Sequence, residues 1–270
     1  MPQPTIQPHN TKPAATWNTG GREYEEISRG IADSIEHCVF RLNPKRNESI
    51  LDVATGTGWA SRRVAAFGAR VVGIDLGEDL IKAAVERARE RGLTIEYMVG
   101  DAEKLPFDSA TFDGVISTCG VMFASRPEIA ASELGRVCKK GGRIALTTWT
   151  PDSNVFGMFK VMKKYMPPPP NPAPPSPFEW GMRERVRQLL EKDFELRFED
   201  GVSYYREPSS IAAWEVFSTG YGPTKSLAAI LTSEKLDEFK RDFVAFHEQF
   251  RTELGICVPR TYLLTVGFRK

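Results

Sequence analysis

The period of apolar and polar positions changes repeatedly along the 270 residues, and those changes delimit the expected elements. Between Trp17 and Phe40, Ile27, Ile31 and Ile35 recur every fourth residue, the spacing of one helical face, and Asn43-Pro44 ends the segment. Ser49 to Ala54 is a short, nearly continuous apolar run, the pattern of a parallel strand buried on both faces. A helix is expected from about Trp59 to its stop at Gly68, then a strand over Arg70 to Asp75. Glu78 and Asp79 begin a helix with Ile81, Ala84, Val85 and Ala88 on its buried face, and Gly92 stops it. Strands over Thr94 to Gly100 and Phe112 to Thr118, a helix over ELGRVCKK, and a Gly141-Gly142 turn into the strand RIALTTW complete the series. Strand alternating with helix predicts an α/β fold whose doubly wound, mainly parallel sheet is covered on both faces.

The flanks read differently. Residues 1–16 carry four prolines and little apolar content, so a flexible tail is expected there. The proline-dense stretch Met166 to Phe178 is excluded from helix interiors and central strands and reads as a connector or flap. Helices are expected over about 181–192, 209–218 and 233–254, extended hairpin-like structure over FELRFEDGVSYYRE, and a final strand over TYLLTVGFRK. The division expected is a core over 17–150 with an N-terminal cap helix, a helical lid insertion with strand six over 151–259, and a last strand over 260–270.

Composition narrows the function. At 41% hydrophobic and 26% charged residues, the chain is an ordinary globular one. Thirty-six Lys and Arg against 35 Asp and Glu give a net charge of +1, with no overall electrostatic reason to bind nucleic acid or an anionic membrane. A small-molecule partner is therefore expected. Cys38, Cys119, Cys138 and Cys257 form no CxxC pair and have no histidines at ligand spacing, which supports neither a zinc site nor a disulfide framework. The opening MPQPTIQPHNTKPAATW lacks the apolar core of a signal peptide, and no run reaches the roughly 18 residues of a membrane span, so a cytoplasmic location is expected.

The first strand runs into DVATGTGW, where Gly56 and Gly58 allow a tight turn that presents backbone N–H groups to a ligand. A phosphate-cradling Walker A loop requires Lys then Ser or Thr after its glycines, and Trp59-Ala60 stand there instead. The dinucleotide fingerprint requires a third glycine or alanine, and that position is Ser61. What remains, acid-x-x-x-G-x-G on Asp52, resembles motif I of the class I S-adenosylmethionine-dependent methyltransferases. IDLGEDLI, VGDAEKLPF, FDGVIST with CGVMF, and ELGRVCKKGGRIALTTW resemble the family's later motifs in order and spacing, over about Ser49 to Trp149. The wording is most similar to the methyltransferase type 11 branch of ubiquinone and menaquinone C-methyltransferases.

That resemblance implies a Rossmann-like core and S-adenosyl-L-methionine as cofactor. It places Asp75 on the ribose hydroxyls, Asp101 on the adenine amino group, the Ala102 N–H on a ring nitrogen and Leu76 over the adenine face. The loop Asp52, Ala54, Thr55, Gly56 and Gly58 and the strand-end Ser117 would complete the cofactor site. WNTGGREY resembles the segment that caps the cofactor, with Tyr24 reaching the methionine carboxylate. Ala54 departs from the pattern, since many members have glycine there.

The expected activity is methyl transfer to a small, largely apolar acceptor at oxygen, carbon or nitrogen, aromatic or isoprenoid in character. The alternative is a cofactor-binding protein without transfer, acting through a protein partner. Methylation of RNA or DNA predicts an NPPY-type loop where STCGVMF stands. In-line displacement at a sulfonium draws most of its acceleration from positioning and desolvation. No general base is therefore assigned, and His37 and His247 read as structural. No metal is expected, for want of a ligand cluster beside strand four. Cys119, Met122 and Phe123 after strand four are expected to line the acceptor site, with Trp180 and Tyr221 from the lid. A packing thiol competes for Cys119, and the lid's own core competes for the aromatics. Met158, Met162 and Met166 read as a core stripe.

Overall fold

The computed structural model describes residues 5–169 and 173–270. Its sheet comprises β1 (Ser49–Val53), β2 (Arg70–Asp75), β3 (Glu96–Val99), β4 (Phe112–Thr118), β5 (Cys138–Trp149), β6 (Phe194–Glu207), β7 (Arg251–Thr252) and β8 (Gly255–Arg269). The strand order is β3-β2-β1-β4-β5-β8-β6, with β7 paired to β8. β1 pairs in parallel with both β2 and β4, whereas β8 lies antiparallel between β5 and β6. The predicted doubly wound, mainly parallel sheet is therefore present. Its order reverses between β1 and β4, the crevice where such sheets bind ligands beyond the carboxyl ends of their strands.

The helices are α1 (Thr11–Asn18), α2 (Tyr24–Arg29), α3 (Ala32–Leu42), α4 (Trp59–Ala65), α5 (Glu78–Glu90), α6 (Pro127–Val137), α7 (Asn154–Lys163), α8 (Arg183–Leu190), α9 (Ser210–Gly220), α10 (Gly222–Ile230) and α11 (Ser233–Glu248). Helix α3 packs on β4, β5 and α4, and its stripe Ile35, Cys38, Val39 and Leu42 is buried. Helix α5 packs on β2 and β3, and α6 on β5 and α8. Helices α9, α10 and α11 form the lid, which α1 and α2 join from the other end of the chain. Among the described residues no helix is long and apolar enough to cross a membrane.

Three local expectations need correcting. Residues 8–16 of the segment taken as a flexible tail form a 3-10 turn over Pro8–Asn10 followed by α1, while residues 1–4 lie outside the described residues. Pro8 and Pro13 sit in first turns, where no intrahelical N–H bond is lost. FELRFEDGVSYYRE is one 14-residue strand paired along its length with β8, not a hairpin. Gly201 makes room rather than a turn: a Cβ there would lie 2.2 Å from the Tyr262 ring. The methionine stripe is broken, Met158 and Met162 being buried and Met166 exposed. Residues 170–172 of the proposed proline flap lie outside the described residues.

Candidate active site

The loop after β1 is left-handed at Ala54, Gly56 and Gly58, with φ of +57°, +57° and +79°. Glycine meets that demand without strain, and Ala54 meets it as a residue that rarely does. The Ala54 methyl also explains Gly120 after β4, where a Cβ would come within 2.5 Å of it. The two loops interlock at the switch point, each leaving room for the other.

Beneath the loop, Asp52 is wholly buried. Its Oδ2 accepts from Thr55 Oγ1 at 2.6 Å and from Ser61 Oγ at 2.7 Å, and its Oδ1 has no partner. Burial pushes this carboxyl up to about 6, against the lowering effect of the two hydroxyls. A second buried brace comes from α2. Glu25 accepts from Arg62 Nη2 and from Thr57 Oγ1, each at 2.6 Å, while Arg62 Nη1 donates to the Thr57 carbonyl. The pair ties the cap helix to the loop, and no periodicity in the sequence signals it.

Above the loop lies a pocket lined by Tyr24, Ala54, Gly56, Asp75, Leu76, Asp101, Ala102, Cys119 and Phe123 among others. Nine of the sequence-assigned residues thus converge on one cavity. Asp75, at the end of β2, receives the Gly56 N–H on Oδ2 at 2.8 Å and the Gly77 N–H on Oδ1 at 3.0 Å. Burial holds its carboxyl above the ordinary range, opposed by these backbone donors. Asp101 Oδ1 accepts from the Glu103 N–H.

The remaining assigned residues do not reach the cavity. Asp52, Thr55 and Gly58 support the loop from below; a Cβ at Gly58 would meet the Tyr97 hydroxyl instead. Ser117 is wholly buried, donating to the Val53 carbonyl at 2.7 Å and receiving the Val121 N–H, so it ties β1 to the turn after β4. Met122 points into the main core. Trp180 is buried against β5, its carbonyl receiving Thr148 Oγ1. Tyr221 does not line the pocket, but its ring stands 5.5 Å from that of Trp17, which does.

The main addition is the N-terminal segment. Asn10 and Trp17 both line the cavity. Asn10 donates Nδ2 to Asp101 Oδ2 at 2.9 Å and accepts from Ser125 Oγ, and the Gln7 N–H donates to the same Asp101 oxygen at 3.0 Å. His9 Nε2 lies 2.6 Å from Glu103 Oε2. Trp17 gathers Phe123 at 5.0 Å, Tyr24 at 6.3 Å and Tyr221 into an aromatic cluster. The histidines read as structural are tied elsewhere: His37 bridges Tyr262 and Glu199, and His247 Nδ1 donates to the Phe243 carbonyl. Burial lowers His247 to about 4, so it is neutral near pH 7. Burial raises the Cys119 thiol to about 12, leaving it unionised and poorly nucleophilic.

The residues present fit S-adenosylmethionine. Asp75 keeps acceptor capacity beyond its backbone donors, a match for a ribose hydroxyl. Apolar side chains flank it, and the Asp101 carboxylate stands at the other end of the cavity.

A family model described as a methyltransferase domain matches residues 51–146. An uncharacterized protein of Mycobacterium tuberculosis is 37% identical over 224 residues, covering 82% of this chain and 81% of that one. For another protein of the same organism, 39% identical over 146 residues, the match spans about half its length, 53%. The demethylmenaquinone methyltransferase of Clavibacter sepedonicus is 41% identical over 104 residues, 38% of this chain and 42% of that enzyme. Among solved structures, the phosphoethanolamine N-methyltransferase 2 of Haemonchus contortus, in complex with S-adenosyl-L-methionine, shares the fold. Its TM-score is 0.55 at 17% identity, over 88% of this chain and 52% of that one. With the motif I loop, the Asp75 and Asp101 carboxylates and the reversed strand order in one pocket, the chain belongs to the class I S-adenosylmethionine-dependent methyltransferase family.

Proposed function

We propose that the protein transfers a methyl group from S-adenosylmethionine to a small, largely apolar organic molecule. The observation that carries this reading is the two-ended pocket, with carboxylates at the β2 and β3 edge and an aromatic and aliphatic end formed by Trp17, Tyr24, Phe123, Cys119 and Val121. Asp75 would hold the ribose, Asp101 the adenine edge and Leu76 an adenine face. The bound cofactor supplies an electrophilic sulfonium methyl. The chain's own contribution is position and exclusion of water: Trp17 of α1, backed by Tyr221, covers the apolar end, so that an acceptor there would meet the methyl away from bulk water. No side chain in the pocket is poised as a strong base, consistent with an acceptor that is nucleophilic by itself.

The test is incubation of the full chain with methyl-labelled cofactor and pooled small metabolites, followed by isolation of labelled product. Phe123→Ala should leave adenosylhomocysteine affinity within about twofold while lowering acceptor turnover at least roughly tenfold, the scale for losing a packed aromatic contact. Label transferred only to protein or nucleic acid, or turnover insensitive to Phe123, would refute the reading.

A further inference from the structure

At the end of the cavity where Asp101 stands, the wall is the chain's own N-terminal segment. Asn10 is 2% exposed and Asp101 1%, and both line the cavity together with Gly100, Ala102 and Ala124. The segment is held at both ends. At one, the Gln7 N–H and Asn10 Nδ2 donate to Asp101 Oδ2 at 3.0 and 2.9 Å, and His9 Nε2 lies 2.6 Å from Glu103 Oε2. At the other, Asn18 donates Nδ2 to the Asp79 carboxylate and accepts the Asp79 N–H, while Thr19 Oγ1 donates to the Gly222 carbonyl.

These bonds decide what Asp101 can still accept. A carboxylate oxygen takes about two donors. Oδ2 has two from the segment and Oδ1 has one from the Glu103 N–H at 2.9 Å, so the remaining capacity lies on Oδ1. The Asn10 carboxamide is engaged by the protein as well: besides Asp101 it bonds Glu103, and its Oδ1 accepts from Ser125 Oγ at 2.6 Å. It therefore meets a ligand as a fixed wall rather than as a free donor. Such a wall yields little to an added methyl group, because moving it breaks buried hydrogen bonds.

We propose that residues 7–10 set the base specificity of the cofactor site: they leave Asp101 one acceptor position, for a single N–H of an exocyclic amino group, and they close the space that a substituent on that nitrogen would need. The inference rests on the reading in which Asp101 holds the adenine edge, and it specifies which purines that edge admits. An unsubstituted amino group gives one hydrogen to Oδ1 and keeps a second that is small enough for the closed wall. An alkyl group in that second position meets the Asn10 carboxamide and the Gln7 backbone, and enters only by lifting the segment.

The experiment measures, by titration calorimetry on the full chain, the affinity for adenosylhomocysteine, for its N6-methyl derivative and for S-inosylhomocysteine, in which a carbonyl replaces the amino group. Wild type should bind the N6-methyl derivative at least about tenfold more weakly than the parent, the scale for forcing one methyl group into packed surroundings. Asn10→Gly removes the wall, and Asn10→Asp keeps its volume but sets a like charge beside Asp101 and Glu103; each should bring the two ligands within about threefold of one another. A merely structural Asn10 would weaken both ligands in parallel, so the ratio of affinities, in variants that circular dichroism shows to be folded, is the readout. A wild-type ratio near one, or a ratio undiminished in both variants, would overturn the inference. S-inosylhomocysteine tests the underlying reading separately. Its carbonyl oxygen would face the Asp101 carboxylate, so it should bind weakly to wild type and variants alike, and binding equal to the parent would show instead that Asp101 does not hold the amino edge.

Discussion

Replacing Asp75 by alanine offers the sharpest check on the cofactor end of the pocket. Each carboxylate oxygen offers about two acceptor directions. The Gly56 N–H at 2.8 Å and the Gly77 N–H at 3.0 Å each take one, and the Leu76 N–H also faces the carboxylate, so acceptor capacity remains for a ribose hydroxyl. A hydrogen bond to a charged group contributes about 1.5 to 3 kcal/mol, and two made by one carboxylate do not add fully. About 3 kcal/mol is a reasonable loss, which at 1.4 kcal/mol per decade is a roughly 100-fold weaker affinity. Stability moves less, because two effects oppose. Losing the carboxylate orphans the Gly56 and Gly77 N–H groups, at about 1 to 3 kcal/mol each where water does not replace the partner. It also relieves the burial that holds the Asp75 carboxyl above its ordinary range. Titration calorimetry with adenosylhomocysteine, with circular dichroism to establish folding, reads both quantities. A folded Asp75→Ala variant binding within about twofold of wild type would show that Asp75 does not hold the ribose.

Two further predictions concern the supports of the pocket. Asp52 titrates at about 6 in the folded protein against 3.8 as its ordinary value, so between roughly pH 4 and pH 6 the folded chain holds a proton that the unfolded chain has released. Stability should fall as pH rises through that window, by at most about 3 kcal/mol, and Asp52→Asn should abolish the fall; urea denaturation showing the same slope in the variant would contradict this. Asn10→Ala removes a buried side chain bonded to both Asp101 and Ser125, so amide exchange over residues 7–18 should accelerate and adenosylhomocysteine should dissociate faster. Exchange rates equal to wild type would mean that Asn10 does not hold the segment down.

The central strands and helices were legible because each is written locally. SILDVA is buried on both faces as β1, and of the stripe expected on α5, Ile81, Ala84 and Ala88 are buried while Val85 is exposed. What escaped is what depends on a distant neighbour. Gly201 reads as a turn inside FELRFEDGVSYYRE until Tyr262 of the adjacent strand is seen to fill the space a side chain would need. Prolines in residues 5–16 read as tail until Asn10 is placed beside Asp101, 91 residues away in sequence. Asp75 and Asp101 were legible for the converse reason: each ends or follows its own strand, so the parallel topology alone brings them to the same edge.

The acceptor end was less legible for a further reason. Sequence shows how many charges lie near one another along the chain, and none clusters after β4, which suggested walls of apolar groups with a few hydroxyls. Burial changes what one charge is worth: an exposed arginine is screened and hydrated, whereas Arg260, sealed beneath Tyr205 and Trp149, is neither, a difference that no run of neighbouring residues announces.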